Sequence, residues 1–413
     1  MMEVPVATSF KPVPDGDIHD YDGIINYFNF APVRQQLLPK YKSITFVTTG
    51  IIPYDGGQTT MLHLGTELSK RGFDVYYLSY LPQSRKEMEI DAEFNYSGYQ
   101  GTCLDVSHLA SHQSDIWLGT LWESVYVFKD KPGYKAYFVQ DYEPYFYPYG
   151  DRFYLSFKTY ELGLHMISLG PWCAQMIREH CRITSPLDVI HFPVDVANYP
   201  YSPRNFMAYK NKKEINLAVY TKVDSPRRAP ISIQIILNNC IELFRDQGYT
   251  LNITYFGSDK SESFINGRNV GRLTKKQLKE LYLASDFGIA PSMTNFSLVT
   301  YEMMSVGLPV IDFYEGTGLS FMPKNCALFC HLDENSLSRT VHQAMNHPEI
   351  IQNTVNHARR HLKSIPWKQT VDDFVAVINK IESKHSSLAN KEYLVPAKHS
   401  DPDNKEHLAP AEP

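Results

Sequence analysis

Three cations, one carboxylate and the start of a helix are the residues whose types and spacing suggest chemistry in this chain. Lys222, Arg227 and Arg228 stand in Thr221-Lys-Val-Asp-Ser-Pro-Arg-Arg-Ala229, just past a strand-like run. Further on, Phe287 to Pro291 is a short apolar run of strand type, and Phe296 to Val306 carries Val299, Met303 and Val306 at helical spacing. Gly307 sits where a left-handed C-cap is wanted, Pro309 follows where a helix cannot continue, and Val310-Ile311 open another strand. The helix start near Ser297 and Leu298 presents free backbone N–H groups, and with the helix dipole these form an anion site. Glu302 lies one turn on, with its side chain leaning back toward that start. Cations for charge and N–H groups for geometry make a diphosphate site, and the carboxylate beside it suits a sugar hydroxyl. The competing reading is an amphipathic helix with a solvated Glu302 and, at Pro226, a solvated basic turn.

A second cluster mixes rings with acids. Tyr137-Phe-Val-Gln-Asp-Tyr-Glu-Pro-Tyr-Phe-Tyr-Pro-Tyr149, continued by Phe153, Tyr154, Phe157 and Tyr160, surrounds Asp141 and Glu143. Aromatic faces with carboxylates hold sugar rings by stacking and by hydrogen bonds. An aromatic core, or a sticky surface facing a partner or membrane, would use the same residues.

The elements that must position these groups alternate. Ser43 to Thr49 predicts a strand, Gly50 to Gln58 a loop with Gly56-Gly57 at its end, Thr59 to Lys70 a helix, and Phe73 to Tyr80 a second strand. Alternation continues through strands at Asp115–Gly119, Lys135–Gln140 and His165–Leu169, with helices at Glu123–Phe128 and Pro171–His180. From Asp188 to Pro200 the chain reads as a proline-bearing linker. A second run then starts with strand Ile215–Tyr220, helix Ile231–Phe244, strand Leu251–Phe256 and helix Lys275–Leu283. Two doubly wound domains in tandem leave a cleft between the carboxyl ends of their sheets. The expected division is 1–196 (with 1–40 as an extension), 197–365, a helix over 366–383 crossing back to the first domain, and a polar, poorly ordered tail over 384–413.

Composition narrows the classes. The chain of 413 residues is 43% hydrophobic and 21% charged, as expected of a soluble globular protein. A net charge of -5 argues against a general nucleic-acid binder. No apolar run is long enough to span a bilayer, and Met1-Met-Glu-Val-Pro-Val lacks a signal-peptide layout, which suits the cytoplasm. The six cysteines form no CxxC pair; Cys326, Cys330 and His331 lack a fourth ligand, so buried thiols are expected and no metal site. Asp15/Asp17 and Asp20/Asp22 have DxD spacing, but no strand precedes them, so they read as solvated loop acids. Asp286-Phe-Gly288 lacks every partner of a kinase motif, and no Walker loop is present.

The ordered set of motifs resembles the GT-B glycosyltransferases of the retaining family-4 type, over residues 43 to 383. The strand end, E-x7-E pattern and PVI turn of that family are similar to residues 291–311, with its second glutamate on Glu302. Its phosphate-binding pair falls on Lys222 and Arg228. Gly271 with Leu273 resembles the turn that receives the nucleotide base. Val189-Ile-His-Phe-Pro-Val-Asp-Val resembles the interdomain linker, Gly56-Gly57 the glycine loop facing the donor, and Trp367 the start of the crossing helix. The fold so implied is α/β, with two Rossmann-like domains facing each other across a cleft. The implied donor-binding set is Gly57, Lys222, Arg227, Arg228, Gly271, Leu273, Thr294, Asn295, Ser297, Leu298 and Glu302, with Lys222, Arg228 and Glu302 carrying catalysis. Two positions depart from the family: its first glutamate is Thr294 here, and its histidine toward the sugar's C6 hydroxyl is Gln140.

The aromatic run is closer to rhamnosyltransferases of bacterial surface and S-layer glycans, the WsaF type. That resemblance implies metal-independent transfer of L-rhamnose from dTDP-β-L-rhamnose to a growing rhamnose-containing chain, with retention and a β-linked product. Gln140, Asp141, Tyr142 and Glu143 would contact the oligosaccharide acceptor. Cations and helix start would stabilise the leaving dTDP, whose departing oxygen takes the acceptor's proton. An inverting route would need a base, for which Asp141, Glu143 and His165 are the candidates. A lipid-linked acceptor would bring the protein to the inner face of the cell membrane. Another donor, an epimerase or hydrolase, and a non-catalytic sugar-nucleotide binder are the alternatives on the same architecture; oligomeric state is not legible.

Overall fold

The computed structural model describes residues 17–392; Asp15 and the tail from 393 onward lie outside the described residues. Two all-parallel sheets organise the chain. The first holds β1 (Ser43–Thr48), β2 (Asp74–Ser79), β3 (Thr102–Leu104), β4 (Ile116–Gly119), β5 (Tyr134–Val139), β6 (His165–Leu169) and β7 (Leu187–Ile190). Its order is β3-β2-β1-β4-β5-β6-β7. The second holds β8 (Glu214–Tyr220), β9 (Thr250–Phe256), β10 (Arg268–Asn269), β11 (Phe287–Ile289), β12 (Val310–Phe313) and β13 (Leu328–Cys330). Its order is β10-β9-β8-β11-β12-β13. Both sheets are doubly wound and face each other across a cleft, the GT-B arrangement expected from the sequence.

Strand order decides where ligands can enter. Each sheet reverses direction once, between β1 and β4 in the first and between β8 and β11 in the second. Crossovers leave toward opposite faces on either side of a reversal, so a crevice opens at the carboxyl ends of those strands. Residues 221–229 follow β8 and residues 290–297 follow β11, so both expected phosphate elements border one crevice. The first domain offers the loop after β1 and the residues after β5.

Local chemistry sets the helices at these edges. Helix α1 spans Gly56–Lys70, with Asp55 capping it through Gln58 N at 2.7 Å. The glycines expected in the preceding loop therefore form the first helical turn. Further helices follow in order: α2 (Arg85–Asn95), α3 (Trp122–Phe128), α4 (Asp151–Thr159), α5 (Pro171–His180), α6 (Pro230–Asp246), α7 (Lys275–Ala284) and α8 (Leu298–Ser305). Ser297 caps α8 by accepting from Val299 N at 3.3 Å, an arrangement worth about 1 kcal/mol. Gly307 ends that helix at φ +83°, and a Cβ there would meet the Tyr201 ring at 2.7 Å.

Helices α9 (Glu334–Asn346) and α10 (Pro348–Lys363) complete the second domain, and α11 (Trp367–Glu392) returns to the first. There Tyr41 N donates to Glu382 at 2.9 Å and Lys380 pairs with Asp188 at 2.7 Å. The polar segment 384–392 thus continues a helix rather than opening a tail. A second boundary also moves: residues 188–190, expected to begin the linker, belong to the edge strand β7. The two crossings between domains lie side by side, joined by a parallel bridge between Val194 and Pro366. In the lead-in, Asp17 caps a short 3-10 turn, Asp20 pairs with Arg152 at 2.5 Å, and Asp22 faces His19. None of these acids gathers around a common metal position.

Candidate functional site

The loop after β8 carries the cations, and its backbone is under strain. Ala229 holds φ +47°, one of two non-glycine residues at positive φ among those described, the other being Tyr54 in the loop before α1. Such positions cost about 1–3 kcal/mol each and persist where surrounding contacts over-determine them. Both flank the cleft, one in each domain. Arg228 is buried and donates through one nitrogen to Ser292 Oγ (2.6 Å) and Asn295 O (3.2 Å). Burial, with Arg227 alongside, lowers its pKa to about 10. Met293 N donates to Arg227 O at 2.9 Å. The loops after β8 and β11 are therefore one body. Lys222 is half-buried and has no side-chain hydrogen bond or ion pair among the described residues, which leaves its ammonium available to a ligand.

Arg227 turns to the other domain. It donates to Asp141 Oδ2 at 2.5 Å and lies over the Phe146 ring at 4.8 Å. Thr294 Oγ1 donates to the same oxygen at 2.9 Å, and Asn295 N to Asp141 Oδ1 at 3.0 Å. Asn295 Nδ2 donates to the carbonyl of Gln140. Gln140 in turn faces the start of α1, where a Cβ on Gly57 would lie 3.6 Å from its side-chain oxygen. Gly57, Gln140, Asp141, Arg227, Arg228, Thr294 and Asn295, far apart in the chain, thus form one cluster across the cleft.

Glu302 sits deeper. Tyr282 donates its hydroxyl to Glu302 Oε2 at 3.3 Å, and Tyr199 also hydrogen-bonds it. Burial pushes its pKa up to about 7, tempered by those hydroxyls and by Lys275. With Leu298, Thr59, Thr60 and Lys275 it lines a cavity of about 60 Å³. A recess of about 690 Å³, sharing Tyr96, His63, Asp195, Lys275 and Trp367 with that cavity, opens along the domain crossings. His63 is stacked between Tyr96 (4.4 Å) and Trp367 (3.8 Å), and burial lowers its pKa to about 4. Lys275, Tyr96 and His63 were not expected here. Lys275, the first residue of a helix following the Gly271 turn, carried the one sequence signal that could have found it. Gly271 itself has φ +82° and Leu273 is half-buried beside it, so the turn expected to receive a base is present.

Two expected acceptor contacts and one candidate base are corrected. Tyr142 stacks on Tyr160 (5.5 Å, 13°), which stacks on Tyr137 (5.6 Å, 12°), and all three are buried. Glu143 is buried too, accepting Trp122 N at 2.8 Å and the Tyr137 hydroxyl at 2.7 Å; burial pushes its pKa up to about 8. Neither reaches an acceptor, because the aromatic run packs inward as core and Glu143 satisfies the start of α3. His165 opens β6 and so lies at the amino end of the strand, opposite the cleft, held by Tyr134 (2.9 Å) and Asp188 (2.8 Å). It cannot serve as a base in the cleft. Tyr145 (44% accessible) and the end of the run, Tyr149 (91%) and Tyr154 (53%), are exposed. Cys326 and Cys330 are buried free thiols, and His331 pairs with Glu315 at 2.8 Å. No helix among the described residues is long and apolar enough to cross a membrane.

No protein-family profile matches the chain. Over 267 residues, 62% of this chain, it is 24% identical to the O-antigen biosynthesis protein RfbC of Myxococcus xanthus, and it spans 20% of that protein's length. Similar solved structures share the two-domain architecture. HepE of Anabaena, in complex with UDP and glucose, superposes with a TM-score of 0.62 over 84% of this chain and 100% of its own, at 12% identity. Sucrose-phosphate synthase from Thermosynechococcus elongatus gives 0.59 over 85% and 99%, at 13% identity. A mutant of TarM from S. aureus, in complex with fondaparinux, alpha-GlcNAc-glycerol and UDP, gives 0.63 over 82% and 100%, at 9% identity.

Proposed function

We propose that this chain is a glycosyltransferase of glycan biosynthesis, taking a nucleotide-sugar donor in the second domain and an oligosaccharide acceptor from the first. One observation carries the reading: Lys222, Arg227, Arg228 and the start of α8 meet at the crevice between β8 and β11, facing Gly57 and Gln140 across the cleft. Charge developing on a departing nucleoside diphosphate is stabilised there by preorganised cations and by the Leu298 N–H, since Ser297 N is bonded to Ser292 Oγ and Val299 N to Ser297 Oγ. Glu302, one turn into α8 and lining its own cavity, accepts a hydroxyl of the nucleoside sugar. The UDP, glucose and glycan ligands named with the similar structures support this kind of substrate.

The finer reading is transfer of L-rhamnose from dTDP-β-L-rhamnose to a rhamnose-containing surface glycan, with retention. Gln140 supports it, since that position lacks the histidine used toward a sugar's C6 hydroxyl, and rhamnose is a 6-deoxy sugar. Retention needs no protein base, because the leaving phosphate oxygen takes the acceptor's proton on the face it vacates. Lys222 and Arg228 supply the positive charge that a divalent cation would otherwise bring, which supports a metal-independent reaction. A lipid-linked acceptor would place the enzyme at the inner face of the cell membrane.

The test is an incubation of labelled dTDP-rhamnose with and without a rhamnose-terminated acceptor, in the presence of EDTA. A larger labelled product with a β linkage by NMR is expected. Free sugar or an epimer would replace transfer by hydrolysis or epimerisation, an unchanged donor would leave a binding protein, and an α linkage would overturn retention.

A further inference from the structure

The loop Pro291–Ser297 carries no acidic side chain, yet a carboxylate sits in contact with it. That carboxylate is Asp141, delivered from the end of β5 in the opposite domain and 4% exposed. Its Oδ2 accepts from Arg227 (2.5 Å) and Thr294 Oγ1 (2.9 Å). Its Oδ1 accepts from Asn295 N (3.0 Å) and from Tyr142 N of its own domain (2.8 Å). Four donors fill the accepting directions of one carboxylate, and three of them come from the two loops that border the donor crevice. A second tie runs alongside, from Asn295 Nδ2 to the Gln140 carbonyl.

This saturation excludes some roles and leaves one. A carboxylate with every lone pair engaged is neither a base nor a ready acceptor for a sugar hydroxyl. It is suited to holding its donors in place. Arg227 is the partner most in need of it. Its guanidinium is only partly exposed and lies over the Phe146 ring, so without the carboxylate it would keep a desolvated charge with no counter-ion. Thr294 and Asn295 are held through a hydroxyl and a backbone N–H, which fixes the loop itself and not merely a side chain.

We propose that Asp141 is a positioning residue that assembles the donor-sugar side of the site from across the cleft, so that this side is complete only when the two domains are together. The proposal rests on the glycosyltransferase reading for its kinetic consequences but not for its structural one. The nucleoside end of the site is a cavity lined by Glu302, Leu298 and Lys275 and by none of Asp141's partners. Sugar transfer and nucleoside binding should therefore respond differently to its loss.

The experiment compares wild type, Asp141→Asn, Asp141→Ser, Thr294→Glu and the double variant Asp141→Ser/Thr294→Glu. Asn keeps the shape and removes the charge. The double variant moves the charge to the other side of the same contact, since Thr294 and Arg227 meet one oxygen. Expected is a fall in kcat of about tenfold or more in Asp141→Asn, with thymidine affinity by calorimetry kept within about twofold. Deuterium uptake in the 291–297 peptide should rise in the same variant. The double variant should regain at least about threefold in kcat over Asp141→Ser, while Thr294→Glu alone, crowding two carboxylates, should be impaired. A purely structural role would lower thermal stability and thymidine binding together and would show no such recovery. Wild-type kcat in both Asp141 variants, or no recovery in the double variant, would overturn the proposal. If the wild type transfers no sugar, the glycosyltransferase reading fails by itself. Deuterium uptake then still decides the positioning role, and unchanged uptake in Asp141→Asn overturns it.

Discussion

Arg228 donates to Ser292 Oγ at 2.6 Å, and the bond ties the loop after β8 to the loop after β11. A residue expected to grip phosphate is thus a brace within the phosphate site, while Lys222, six positions earlier, keeps its ammonium unengaged among the described residues. The two cations should separate experimentally. Arg228→Ala removes the donor that joins Ser292 Oγ to the Asn295 carbonyl and leaves a cavity, so it should lower folding stability by about 2–4 kcal/mol as well as donor turnover. Lys222→Ala should leave the melting temperature within about 1 °C of wild type and weaken donor binding by about tenfold or more. Thermal melts beside donor kinetics check the pair; wild-type turnover in both variants removes them from the site.

Glu302 titrates near neutrality, and binding should report it. Burial raises its pKa to about 7, so the empty site holds a partly protonated carboxyl at neutral pH. A nucleoside hydroxyl donates more strongly to the ionised form, so binding lowers that pKa and affinity rises as pH passes upward through about 7. Glu302→Gln should weaken dTDP binding by about 1–2 kcal/mol at pH 8 and flatten the part of the pH dependence not due to the phosphate itself. Calorimetry from pH 6 to 8.5 measures both, and unchanged affinity in the variant would refute the assignment.

Asp312 predicts a stability slope of known sign. It is 2% exposed, its Oδ1 accepts from Phe313 N at 2.8 Å, and its Oδ2 has no partner. Burial pushes its pKa up to about 7. The folded state therefore holds its proton over a pH range where the unfolded state has lost it. Its share of stability is full below the unfolded pKa near 4 and is lost as pH rises through about 7, an effect on the order of 2–4 kcal/mol. Urea unfolding at pH 5 and pH 8 should show a smaller drop for Asp312→Asn than for wild type. Equal drops would mean that the site is wetter than its burial indicates.

Glu143 tests the corrected aromatic run. Glu143→Ala leaves the Trp122 N–H and the Tyr137 hydroxyl without their partner inside the core, which costs about 2–5 kcal/mol. Acceptor KM, measured well below the melting temperature, should stay within about twofold of wild type. A large rise in acceptor KM without loss of stability would return Glu143 to the acceptor site.

Much of this architecture is written locally. Strands β1, β6 and β8 and helices α5, α7 and α8 follow from apolar periodicity and from caps such as Ser297 and Gly307, because each depends on neighbours a few residues away. Short or weakly periodic elements were not legible for the same reason. Leu187–Ile190 is half-exposed at a sheet edge, so its composition resembles a linker. Gly56 and Gly57 look like loop residues until Asp55 is seen to cap the helix that begins with them.

By itself the sequence determined two doubly wound domains, the loops after β8 and β11 as candidate phosphate elements, and Glu302 one turn into a helix. Only the tertiary structure decided which charge meets which. Thr294 and Asp141 are 153 residues apart, and no local pattern encodes their contact. Aromatic spacing alone is equally compatible with a sugar platform and a core; burial of Tyr137, Tyr142 and Tyr160 chose the core. Periodicity records how a segment faces its own domain, whereas partner choice across a cleft depends on packing the whole chain at once. That is why the carboxylate missing at Thr294 could be noticed in the sequence, but its counterpart at Asp141 could be found only in the fold.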